Sequence, residues 1–178
     1  MTTPSPRPTD AVPERAEPPT VGDERPLLES WLDYHRATLA LKCAGLDDEQ
    51  LRRAAVPPSE LSLMGLVRHM AEVERIWFRG TLAGEDVPPL YHSEADPDGE
   101  FHLTDADTWA DAYGVWQNEI EQARERAARF GLDDLASVTR KEESHNLRWI
   151  YVHMIEEYAR HNGHADLVRE LVDGTTGD

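Results

Sequence analysis

The chain has 178 residues, of which 39% are hydrophobic and 30% charged, and its formal net charge is −17. That length suits one domain with a core of ordinary size. The charge argues against a nucleic-acid partner or an anionic membrane surface, because both would repel it. Arg124, Arg126 and Arg129 alternate with acids and form no basic patch.

Residues 1–22 contain six prolines and almost no large apolar side chain. Such a segment buries too little surface to offset its ordering entropy, and a disordered tail is expected there, with one domain over 23–178. No apolar h-region marks a signal peptide, and no run of 18 apolar residues marks a membrane span. Cys43 is the one cysteine, which excludes an internal disulfide and suits a reducing cytoplasm; as a side chain it is expected to be a small buried hydrophobe.

The first helix is expected over "RPLLESWLDYHRATLALKCAG", with Asp23 as N-cap, Pro26 in the first turn and Gly45 at the exit. "DDEQLRRA" predicts one or two further turns, stopped by Pro57-Pro58. The second long helix runs through "LSLMGLVRHMAEVERIWFRGTLAG", capped by Ser62, with Leu66, Met70, Val73 and Trp77 as its apolar stripe. On that helix His69 falls on the inner arc, whereas Arg68 and Glu72 do not.

A polar connection of roughly twenty residues follows, where about two to eight is usual between helices. It is long enough to cross the bundle end, so that the second and third helices run parallel. The third helix is expected from "TDADTWADAYGVW", with Thr104 and Asp107 as a capping-box-like pair, to about Phe130-Gly131. "LASVTRKEESHN" is expected to be extended, and the fourth helix to run from about Asn146 to before Gly174. Four amphipathic helices without a convincing strand imply an all-α four-helix bundle. The tryptophans 31, 77, 109, 116 and 149 are expected to pack in the core, with Trp77 also placed to line a pocket.

The fourth helix carries the informative chemistry. At about 100° per residue, Leu147, Ile150, Met154, Tyr158, Ala165, Val168 and Val172 share one face. Glu157 and His161 lie inside that arc, His153 and His164 flank it, and Glu156, Arg160 and Asp166 point away. An unpartnered buried carboxylate costs several kcal/mol or becomes neutral, so Glu157 needs a cation, a donor network or water. His161 lies one turn on and can reach the same point. With His69 inward on another helix, two readings remain: a metal site in the bundle core, or a buried Glu–His hydrogen-bond network. His35, His92, His102 and His145 read as ordinary polar positions.

"SLMGLVRHMAEVERIWF" and, more specifically, "LRWIYVHMIEEYARHNGHADLVRE" resemble the DinB superfamily of metal-binding four-helix bundles and its actinobacterial branch, over roughly residues 25–173. The resemblance implies up-down-down-up helix order and a metal triad of His69, Glu157 and His161. Many members carry His where this chain has Glu157; the Glu form is similar to mycothiol-dependent maleylpyruvate isomerase and to relatives that transfer low-molecular-weight thiols. It therefore implies a mycothiol-type thiol and a small electrophile as partners, and a homodimer.

Two imidazoles and a carboxylate suit zinc, and also nickel, manganese or iron. His153 and His164 stay open as a fourth ligand, an orienting partner or a proton carrier. Thiol S-transfer or thiol-dependent isomerisation is the expected activity. A metal-binding stress or sensor protein without turnover and a metal-water hydrolase are the alternatives.

Overall fold

Five α-helices form in the computed structural model, which describes residues 14–177: α1 Glu24–Cys43, α2 Asp48–Arg52, α3 Leu63–Glu74, α4 Trp109–Ala127 and α5 Leu147–Asp173. A π-helical stretch, Arg75–Leu82, extends α3 without a break. Part of the proline-rich tail, residues 1–13, lies outside the described residues; in the remainder Arg15 stands 4.8 Å from the centre of the Tyr34 ring. No helix of the described residues is long and apolar enough to cross a membrane.

The helix ends follow from side-chain chemistry. Ser62 Oγ accepts from Gly65 N at 3.1 Å, and Asn146 Oδ1 accepts from Trp149 N at 2.9 Å. Asp47 and Gln50 form a reciprocal capping box on α2. Gly45 and Gly174, at φ +77° and +82°, provide the left-handed exits of α1 and α5.

Two expected ends differ. Asp23 stands at the N-cap of α1 but makes no capping bond. Thr104 and Asp107 do pair, with Thr104 N donating to Asp107 Oδ2 at 2.7 Å, yet they close a turn ahead of α4. That helix starts on its own cap, where Asp111 N donates to Thr108 Oγ1 at 3.2 Å. Residues 135–146 contain no strand, only the antiparallel bridges Leu135–Asn146 and Arg140–Glu143. Lys141 and Glu142, at φ 50° and 66°, reverse the chain between them.

Helix α1 packs along α5, α3 packs along α4, and α3 also meets α5 and α1. The expected face of α5 is inside: Leu147, Ile150, Met154, Tyr158, Ala165 and Val168 are all buried. On α3, Leu66, Met70 and Val73 are buried as their spacing requires. Beyond Glu74 the wider π turn, closed by Ala83 N donating to Phe78 O, delays the inward positions by a residue. Phe78 and Leu82 enter the core, and Trp77 stands half-buried at its edge. Trp109 and Trp116 pack inside as expected, whereas Trp31 and Trp149 remain 42% and 43% exposed.

A polar chain crosses this apolar interior. Arg36 Nε and NH2 each donate to the fully buried Glu74 carboxylate at 2.8 Å. Tyr158 Oη donates to Glu74 Oε1 at 2.8 Å, and Trp116 Nε1 donates to Tyr158 Oη at 2.8 Å. The chain takes one member from each of the four long helices, so every partner is satisfied only when all four are docked.

The long connection after the π stretch folds back over α3. Leu90 and Tyr91 donate their N–H groups to Glu72 Oε1, both at 2.6 Å. Arg68 donates to Gly99 O at 3.1 Å and lies 4.2 Å from the centre of the Tyr91 ring. Arg68 and Glu72, which the helical pattern places away from the core, are thus buried beneath the connection. A Cβ at residue 99 would lie 2.4 Å from Tyr91 O, which is why glycine stands there.

Candidate metal centre

His69 on α3 faces Glu157 and His161 on α5, and one donor atom from each lies within 4.8 Å of the others. The two imidazole centres are 4.7 Å apart, and His161 Nε2 is 3.4 Å from Glu157 Oε2. The three side chains are 24%, 16% and 11% exposed, so the cluster is near the surface but largely withdrawn from water. Among the described residues no hydrogen bond joins Glu157 to either histidine. Three electron-pair donors therefore converge, a donor set that a divalent cation fits.

The surroundings fix the imidazoles. His69 Nδ1 is 3.1 Å from Glu100 Oε1; an ionised carboxylate only accepts, so in the neutral ring the proton sits on Nδ1 and the lone pair on Nε2. Phe101 stacks on the same imidazole with ring centres 5.6 Å apart. His161 Nδ1 lies 3.3 Å from His164 Nδ1, leaving its Nε2 toward Glu157. Burial first, and then the neighbouring His69 and His164, push the His161 pKa down to about 3. That imidazole is neutral at physiological pH, with a lone pair to offer.

The other expected residues occupy distinct places. His153 Nε2 is 3.7 Å from Glu157 Oε1, the second oxygen of the same carboxylate. Burial lowers the His153 pKa. His153, Glu156 and Glu157 also bring donors within 4.8 Å, but Glu156 pairs with Arg160 at the solvated edge. His145, read from sequence as an ordinary polar position, is buried against Trp77 and Trp149. His35, His92 and His102 stand apart from the cluster, His102 paired with Asp96 at 2.7 Å. A cavity of about 290 Å³ lined by Glu29, Asp33, Arg36, Phe78 and Tyr151 shares no residue with the triad.

Glu100 has no counterpart in the sequence reading. It is buried, it holds His69, and it arrives on the long connection, where helical periodicity gives no angular information. The one available signal was the length of that connection, which exceeds what a crossing needs.

A family model described as Mycothiol-S-transferase matches residues 27–174, a span that takes in α2 to α5 and most of α1. No curated protein matches the chain.

Proposed function

We infer that this chain, which belongs to the mycothiol-S-transferase family, a DinB-like group, joins the thiol of mycothiol to small electrophiles at a metal held by His69, Glu157 and His161. The convergence of these three donors carries the reading. Zinc suits two imidazoles and a carboxylate, as do nickel, manganese and iron. Three protein ligands leave a position open, the arrangement of catalytic sites. A cation bound there competes with the proton for a thiol and so favours the thiolate at neutral pH.

The chain's own groups divide the remaining work. Glu100 keeps the His69 lone pair on Nε2, and His164 lies where it can do the same for His161. His153, neutral and beside the outer oxygen of Glu157, is placed to take the proton released by the thiol. Cys43 is not a rival nucleophile: it is buried, and burial pushes its thiol pKa up to about 12. The nucleophilic sulfur has to come from a bound thiol.

The same reading includes an up-down-down-up order of the four long helices. The long link between α3 and α4 and the packing of α1 along α5 support that order. A homodimer in a reducing cytoplasm completes the proposal.

Adding mycothiol and a chromogenic electrophile tests it. Turnover that is lost when either metal or thiol is omitted is the expected result. Turnover without thiol would indicate a metal-water hydrolase, and stoichiometric metal without turnover would indicate a stress or sensor protein.

A further inference from the structure

Beside the triad, α5 and the π stretch present a cluster of rings. Trp149 stacks on His153 with centres 4.9 Å apart and planes 18° apart. Trp77 lies 5.2 Å from Trp149 and 4.6 Å from His153, and His145 is 4.1 Å from Trp149. Trp149 is thus braced by three rings while 43% of its surface stays in solvent. A large indole held in one orientation loses little further entropy on binding, and the part of it that the three rings leave in water is apolar.

Position decides what that face can hold. Trp149 precedes Glu157 by two helical turns, about 12 Å along the axis, with His153 between them. A small electrophile must bring its reacting carbon against the sulfur at the triad, so it cannot also rest on Trp149. The thiol can. Mycothiol carries its sulfur on an acylated cysteine, followed by a sugar ring and a cyclitol ring, and with sulfur at the triad those rings fall at the distance of the tryptophans. Pyranose and cyclitol rings present C–H edges that pack on indole faces, while their hydroxyls need polar neighbours. Arg140, 5.1 Å from the Trp77 ring centre, supplies hydrogen-bond donors beside the platform for such hydroxyls.

We propose that the Trp149–Trp77 platform binds the sugar and cyclitol rings of the thiol co-substrate and so selects which thiol the protein accepts. This rests on the mycothiol-S-transferase reading, and the test separates the two. The probe is N-acetylglucosaminyl-inositol, the ring portion of mycothiol with an acetyl group in place of the acylated cysteine so that the amide nitrogen stays neutral, added to the full chain and followed by tryptophan fluorescence and calorimetry. Saturable binding is expected, unaffected by a metal chelator, weakened about fivefold to tenfold in Trp149→Ala and unchanged in Trp31→Ala. In turnover, Trp149→Ala raises KM for mycothiol by a similar factor and leaves KM for N-acetylcysteine and for the electrophile unchanged.

Absence of binding by the unaltered chain, equal binding by Trp149→Ala, or a change confined to the electrophile KM would overturn the proposal. Fragment binding through Trp149 without any mycothiol turnover would uphold the platform and remove the transferase reading. Mycothiol turnover indifferent to Trp149→Ala would do the reverse.

Discussion

Glu157 and Glu100 are both withdrawn carboxylates beside histidine, yet they serve different ends. Glu157 lies 3.4 Å from His161 Nε2, whereas Glu100 holds His69 Nδ1 and leaves its own Oε2 buried without a partner. Glu100→Ala frees the His69 ring to rotate, and metal affinity should fall roughly tenfold to a hundredfold. Competition against a chromophoric chelator measures that; an unchanged affinity would remove Glu100 from the centre. Cys43 gives a second test at this scale. With its thiol pKa pushed up to about 12, it stays protonated and shielded at pH 8. A disulfide reagent should fail to label the folded chain at that pH and should label it in urea. That His69, Glu157 and His161 converge was legible in the sequence because helical spacing fixes their angles. Glu100 was not, because a loop residue has no such periodicity.

At the scale of elements, the two helices that carry the triad are tied through the polar core. Glu74 lies just beyond His69 on α3, and Tyr158 lies between Glu157 and His161 on α5. Arg36→Ala would leave the Glu74 charge buried without its ion pair, and a loss of about 3–5 kcal/mol in urea unfolding is expected. The double replacement Arg36→Met, Glu74→Leu should cost much less, since it removes both charges together. Equal losses in the two proteins would show that burial of the charge is not the source of the effect. The inward stripe of α5 followed from spacing alone. The π stretch did not, because a wheel drawn at one angle per residue cannot register a turn that widens, and Trp77 was therefore assigned to the core. Arg68 and Glu72 were placed away from the core on the same wheel, which counts the helix's own faces and not a connection folded over them.

For the whole molecule, the excess of acids is the dominant property. A net charge of −17 repels itself across a chain of this size, and salt screens that repulsion over about 10 Å at 0.1 M. The melting temperature should therefore rise between low salt and about 0.2 M sodium chloride. A fall would mean that specific surface ion pairs, such as Arg148 with Glu24, outweigh the general repulsion. The all-α class was legible from periodicity and caps, since each long helix buries one stripe. How the long connection settles on α3 depends on contacts distant in sequence, such as Arg68 with Gly99, and these leave no local signature. The central claim, that His69, Glu157 and His161 together hold one metal ion, is tested most directly by elemental analysis of protein purified without chelator or polyhistidine tag. One divalent ion per chain is expected in the unaltered protein and none in His161→Ala of unchanged helicity; metal retained in full by His161→Ala would contradict the triad.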